Sequence, residues 1–434
     1  MPVYIALQAI FEGIDSIPYI WPIIKTIPWI VLLWILKVFF SGASNLAERK
    51  MHGKVVLVTG GTSGIGEATV RALAARGAQI VLLTQHSLSD PFIVEHIEDI
   101  RKETNNELIT AEQVDLSSLH SIRKFATKWI DNAPPRRLDM IVLCGNTMTP
   151  KSRAVQSTRE GVELNWQVNY LANFHLLSIL SPALRAQPPD RDVRIVFATC
   201  SSYLGGNLEA ITNPAETAAK HKKVSKREKA ADTTAPPKAA KTPIVDAYAT
   251  SKLALTIFAL AFQKHLSAYK RPDDMPMNSK VILVDPGFCR TPGTRRWLAS
   301  GTLLGLLLYL LSYPFWWLVL KSPLMGAQSF LHAAMEEGLT RSEGGILLKE
   351  CKQRNFLRAE VEDEVVQKQL WQYSERMVEE AEKRGALERA RLKKEEEERK
   401  EEADAAKELK DYKEKVGKKD GQQKGAGTKS KKGK

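Results

Sequence analysis

The chain has 434 residues, a formal net charge of +13 and an isoelectric point near 9.4. Its four cysteines, Cys144, Cys200, Cys289 and Cys351, show neither zinc spacing nor a disulfide framework, so reduced thiols facing a cytosol are expected and a metal site is not. The basic excess is gathered in a few segments with no nucleic-acid module, and two long apolar stretches accompany it, which excludes nucleic acid as the expected partner and favours anionic lipid.

In chain order, residues 17–40 form the first apolar stretch, interrupted by Lys25, Lys37 and three prolines. No basic segment precedes it and it has no clear small-residue cleavage site, so a retained anchor over residues 1–50 is expected rather than a removed signal. Glu12 and Asp15 precede it, and Arg49, Lys50 and Lys54 follow, which places the rest of the chain in the cytosol. From Lys54 to Val284, apolar runs alternate with helical patterns. Six strands are expected, near residues 54–58, 78–84, 107–114, 138–143, 193–199 and 280–284, in an α/β, doubly wound parallel sheet of Rossmann-like type. Residues 213–242, rich in Ala, Lys, Thr and Pro, cannot bury a core and read as a surface insertion. Residues 297–320 carry no charge and are long enough to span a membrane, while Pro314 and the Trp316-Trp317 pair favour a bent or interfacial segment. The main domain is expected over 51–376. A solvated charged helix and a basic tail without order from Val416 occupy 377–434.

Two stretches carry chemistry. Between the first strand and an amphipathic helix lie Gly60, Thr62, Ser63, Gly64, Ile65 and Gly66. Glycines allow a tight turn and close approach to phosphates, and the helix N-terminus offers free N–H groups to a nucleotide pyrophosphate. Tyr248 and Lys252 stand four apart on a helix, one turn from each other on one face. A free tyrosine has a pKa of ~10; a neighbouring ammonium would favour its phenolate and let it exchange a proton with a carbonyl oxygen while a cofactor exchanges hydride.

Thr-Gly-x-x-x-Gly-Ile-Gly together with Tyr-x-x-x-Lys resembles the short-chain dehydrogenase/reductase family, nearest its retinol-dehydrogenase-like membrane-associated branch, over about residues 52–376. The resemblance implies further roles. Asn169, in Asn165–Phe174, matches the residue that holds a water beside the lysine. Cys289 and Thr291, in Pro286–Thr291, match the turn that meets the nicotinamide carboxamide, and Asp115 matches the adenine ligand. Gly60 to Gly66, Tyr248 and Lys252 would complete the cofactor site. Three departures stand out. The family's Asn-Asn-Ala-Gly is here Leu143-Cys144-Gly145-Asn146. The catalytic serine position falls on Cys200 by counting from Arg194, with Ser201 and Ser202 just after; Ser201 is assigned. After the second strand, Thr84-Gln85-His86 lacks both the acid that suits NAD and the arginine that suits NADP, and NADP(H) is preferred with NAD as the alternative.

The expected protein is therefore a membrane-associated oxidoreductase interconverting alcohols and carbonyls on a retinal-, fatty-aldehyde- or steroid-like substrate, in the reductive direction. Its expected location is the endoplasmic reticulum or a lipid droplet, for which Lys431-Lys432-Gly433-Lys434 resembles a retrieval signal. Partners under consideration are membrane lipid, a second copy of the chain and a protein bound to the charged helix. The rival reading is a nucleotide-binding scaffold with weak catalysis.

Overall fold

The computed structural model describes residues 20–132, 136–149, 156–212 and 247–425. The insertion expected over 213–242 and the Lys431–Lys434 signal lie outside the described residues. Strand β1 (Val55–Thr59) is apolar and buried along its whole length, as a strand covered on both faces must be. Then α2 (Gly64–Ala74), β2 (Gln79–Thr84), α3 (Pro91–Thr104), β3 (Ile109–Gln113), α4 (Leu119–Ile130) and β4 (Met140–Leu143) alternate, preceded by α1 (Ile20–Ser41). Helix α3 shows why its boundaries fall where they do. Asp90 accepts the Phe92 N–H, Pro91 occupies the first turn, and Asn105 ends the helix at φ 50°. Helix α5 joins Leu164–Trp166, a π-helical turn over Gln167–Leu171, and Ala172–Arg185. Next come β5 (Val193–Ala198), α6 (Ala247–Ser267) and β6 (Ser279–Asp285).

The sheet runs β3-β2-β1-β4-β5-β6-β7-β8. Seven strands are parallel and β8 (Lys352–Arg354) pairs antiparallel with β7 (Ile346–Lys349). The terminal hairpin was not among the expected strands. β8 is Lys-Gln-Arg, exposed throughout, and so carries no apolar alternation. The chain winds outward from β1 to β3 and restarts at β4, with Thr59 opposite Leu143. That reversal leaves a crevice beyond the carboxyl ends of β1 and β4. Alternation along β1 divides the core. Val56 and Val58 pack with Val70, Leu73 and Phe330 under α2 and α10 (Pro323–Met335). Leu57 packs on the opposite face, under α4, α5 and α6.

Helix α11 (Glu364–Gly425) has 62 residues. Its first turns belong to the folded body. Trp371 lies 5.4 Å from Phe174 and 5.7 Å from Phe258 between ring centroids, and Tyr170 and Ser374 share a hydrogen bond of 2.5 Å. Val378, Ala381 and Gly385 remain buried, so the boundary expected at 376 falls inside a helix whose contacts with the body continue. The helix also takes in the stretch from Val416 to Gly425 that was expected to lack order. Lys and Gln, common there, lose little rotamer freedom in a helix.

The apolar segments differ from one another. Over Ile24–Ser41, α1 has a mean hydropathy of 1.7 and none of it is buried, and its length suits a membrane span. Residues 297–320 do not form a span. They break into the end of α7 (Pro292–Leu298), α8 (Leu303–Leu311) and α9 (Tyr313–Val319). Nine residues of helix reach only ~14 Å, against a ~30 Å hydrocarbon core. Ser312 and Pro314 explain the break, because Pro314 has no N–H to continue α8. Helix α9 rests on α1, where Lys37 Nζ donates to Trp317 O at 2.6 Å and lies 4.9 Å over the Trp317 ring.

Candidate active site

The glycine turn lies at the crevice. Gly60 and Gly64 have φ of 67° and 61°, conformations a side chain resists. A Cβ at Gly66 would run into Gly60 O, and one at Gly60 would lie 2.7 Å from Gly145 N, so β1 and β4 could not close on each other. Thr59 Oγ1 holds the second wall by accepting the Gly145 N–H at 3.0 Å. Thr62 and Ile65 are half-buried, and Ser63, extended and exposed, precedes α2. The N-terminal N–H groups of α2 open on this concave turn, a form and polarity that fit a pyrophosphate. Thr291 belongs to the same place. Its Cγ2 would lie 3.3 Å from a Cβ at Gly64, and its hydroxyl accepts the Thr294 N–H that starts α7. Cys289 is buried, its Sγ 3.5 Å from Pro286 O, and burial pushes its thiol up to about 12. The thiol stays protonated at neutral pH, and Cys289 serves the turn through its packing and its contact with Pro286 O. The Asp115 carboxylate accepts both the N–H and the hydroxyl of Ser117 at 2.8 Å, which fixes the loop after β3.

Tyr248 and Lys252 stand at the next strand ends. Lys252 is buried on α6 and donates to Ala198 O, the last residue of β5, at 2.9 Å. Its Nζ lies 5.7 Å from the Tyr248 ring centroid. Burial lowers the Lys252 pKa, and burial raises that of Tyr248 well above its ordinary value, with Cys200 adding to the effect. Burial thus opposes the phenolate that the neighbouring Lys252 ammonium was expected to favour. The Tyr248 hydroxyl is approached by Asn146 Nδ2 at 3.4 Å and Cys200 Sγ at 3.5 Å.

Asn169 sits in the π-helical turn of α5, fully buried. Its amide donates to Thr147 O at 2.9 Å and to Ser251 Oγ at 3.1 Å, and its Oδ1 accepts the Thr147 N–H at 2.7 Å. Ser251 in turn donates to Tyr248 O at 2.8 Å. One side chain thus ties the segment after β4 to the helix that carries Tyr248.

Ser201 is not brought to Tyr248. It donates to Asp285 Oδ2 at 2.6 Å and accepts from Lys349 Nζ at 2.7 Å. Cys200 occupies the place beside the tyrosine for a local reason. Its backbone is extended (φ −161°, ψ 159°), and consecutive side chains of an extended chain point to opposite faces. The count from Arg194 carried that signal. Asn146 was quoted in sequence only within the Leu143-Cys144-Gly145-Asn146 departure, with no side-chain role expected; Ser251, Asp285 and Lys349 were not singled out. A separate cavity of about 950 Å³ lies by the other ends of β6 and β7, lined by Lys264, Lys280 and Gly344 among others. It is remote from Tyr248 and the glycine turn, so we place the chemistry at the crevice.

Comparison with known proteins agrees with this geometry. The short chain dehydrogenase family matches residues 54–238. Uncharacterized oxidoreductase pbr1 of Schizosaccharomyces pombe is 44% identical over 80% of this chain and 87% of its own. Retinol dehydrogenase 13 of Mus musculus is 30% identical over 79% of this chain and 89% of its own. Polyprenol dehydrogenase of Mus musculus is 30% identical over 74% of this chain and 82% of its own. With a phosphate-shaped glycine turn at the β1–β4 crevice and a tyrosine–lysine pair beside it, the chain belongs to the short-chain dehydrogenase/reductase family, in its retinol-dehydrogenase-like branch, and is an oxidoreductase of the NAD(P)-binding kind.

Proposed function

We propose that the protein is a membrane-associated, NADP(H)-dependent reductase of aldehyde or ketone groups on lipophilic molecules. The observation that carries the reading is the placement of Tyr248 and Lys252 on one helix, with Lys252 Nζ 5.7 Å from the tyrosine ring, beside the glycine turn at the β1–β4 crevice. A nicotinamide held at the glycine turn and the Pro286–Thr291 turn would supply hydride for the carbonyl carbon. Tyr248 gives its proton to the carbonyl oxygen, and the resulting phenolate regains one from solvent, so the carbonyl becomes an alcohol. Lys252 stabilises the phenolate while it exists. Cys200, at 3.5 Å from the tyrosine hydroxyl, stands where a second donor can reach the same oxygen, although S–H is a weak one.

Three observations support the other parts of the reading. The end of β2 offers Gln85 and no carboxylate, so a ribose 2′-phosphate meets no like charge there; the nearby Asp90 is engaged by His86 at 3.1 Å. Exposed Trp34, Phe39, Leu303 and Leu311 make α1 and α8 apolar toward solvent, a surface suited to lipid. Relatives named for retinol and polyprenol act by name on long apolar alcohols. An endoplasmic reticulum or lipid-droplet surface is the membrane proposed.

The test is oxidation of NADPH and NADH by detergent-solubilised protein with lipophilic aldehydes and ketones. Turnover that Tyr248→Phe removes, faster with NADPH, is the expected result. Nucleotide binding without turnover would instead favour a scaffold, the reading to which a thiol in place of a hydroxyl lends weight.

A further inference from the structure

The chain leaving α1 is stitched to the turn that meets the cofactor. Lys321 is the centre of the stitching. Its backbone pairs with the 288–290 turn: its N–H donates to Phe288 O at 3.0 Å, and its carbonyl accepts the Arg290 N–H at 2.8 Å. Its side chain, 11% exposed, passes over Gly287, where a Cβ would lie 3.0 Å from Nζ, and forms an ion pair with Glu350. The other carboxylate oxygen of Glu350 accepts the Ala43 N–H at 3.0 Å, two residues past the end of α1. Glu350 and Cys351 form the two-residue turn between β7 and β8, both at φ 55°, where glycine or asparagine is usual. The left-handed pair holds Glu350 against the linker, and Gly42 is needed there, because a Cβ would strike the Glu350 carboxylate and Lys321 Nζ. A second stitch lies upstream: Lys37 Nζ donates to Trp317 O at 2.6 Å and Leu320 O at 3.3 Å, gripping the chain just before Lys321.

We infer that Lys321 and Glu350 are positioning residues that make nucleotide affinity depend on the seating of α1. The docked helix holds Lys37 on residues 317–320 and Ala43 on Glu350. Those contacts fix Lys321, and Lys321 fixes the Pro286–Thr291 turn whose Thr291 borders Gly64. An undocked α1 frees Lys321 and loosens the turn. A membrane that seats α1 with α8 and α9 therefore tightens cofactor binding. The inference rests on the reading of that turn as part of a nicotinamide site.

The experiment measures dissociation constants for NADPH and NADH with full-length protein in lipid nanodiscs, by nucleotide fluorescence. Glu350→Gln, Lys321→Met, their double mutant and Lys37→Met are compared with wild type. Each single change is expected to weaken binding ~10-fold, within the usual range of intersite coupling. The double mutant is expected to be no weaker than Lys321→Met, since both act through one contact. Lys321→Arg should restore affinity; a role in fold stability alone would lower the melting temperature and leave affinity unmoved. Lys37→Met lies on the exposed helix and keeps the test alive should Lys321→Met fail to fold. Wild type binding with Lys37→Met and Glu350→Gln within twofold of it would overturn the coupling alone. A wild type that binds neither nucleotide would overturn the oxidoreductase reading together with it.

Discussion

Tyr248 and Cys200 hold their polar atoms 3.5 Å apart, and their chemistry separates them. Loss of the phenol removes the proton donor, so Tyr248→Phe should lower kcat by ~10²–10⁴-fold while nucleotide still binds. The thiol contributes less. Cys200→Ala should lower kcat by ~10-fold, and Cys200→Ser should raise it above wild type, because a hydroxyl is the better donor to a developing alkoxide. Steady-state kinetics on a lipophilic aldehyde check both, and a serine variant no faster than alanine would remove Cys200 from the chemistry. Tyr248 and Lys252 were legible in the sequence because helical spacing alone puts them on one face. The choice of Ser201 over Cys200 failed for the opposite reason. It depended on which way an extended residue points as a strand ends, and on Asp285 and Lys349, far off in sequence, waiting for the serine hydroxyl.

At the scale of elements, the β1–α2 turn was readable residue by residue, since its glycines answer a backbone demand that no other residue meets. Gly66→Ala forces a methyl group into Gly60 O, and should destabilise the fold by ~1–3 kcal/mol and abolish nucleotide binding, as thermal unfolding with and without NADPH would report. The apolar run over 297–320 was readable only as composition. Its breakage into α8 and α9 follows from Ser312 and Pro314, and its side-by-side placement with α1 follows from contacts with Lys37, distant in sequence. Leu303, Leu304, Leu307 and Leu311 are all more than half exposed. Changing the four to serine should leave the fold intact and reduce turnover of long-chain carbonyls by at least ~10-fold relative to short soluble ones, if delivery occurs through lipid. Equal loss for both classes would count against that route.

For the whole molecule, the alternation of strands and helices was enough to derive a doubly wound sheet, but not its closing edge: β8 is too short and too polar to announce itself. Asp192, just before β5, contributes to the stability of that sheet against acid. Burial would raise its carboxyl, but hydrogen bonds from Arg194 and Arg49 outweigh this and hold it at about 2. A carboxylate depressed in the folded state stabilises above its unfolded pKa of ~3.9 and loses that contribution as pH falls toward 2, some ~2–3 kcal/mol in all. Unfolding free energy should therefore fall between about pH 5 and 2, and Asp192→Asn should be less stable at pH 7 yet flatter across that range. Helix α11 has a consequence for how the protein travels. Beyond Gly385 it continues for about 40 residues to Gly425, a rod of ~60 Å with no buried residue described along it. A rod of that length adds drag out of proportion to its mass. A single copy should elute from a sizing column like a much larger particle, and its sedimentation should be slow for its weight, so subunit number has to be read from light scattering and not from elution volume.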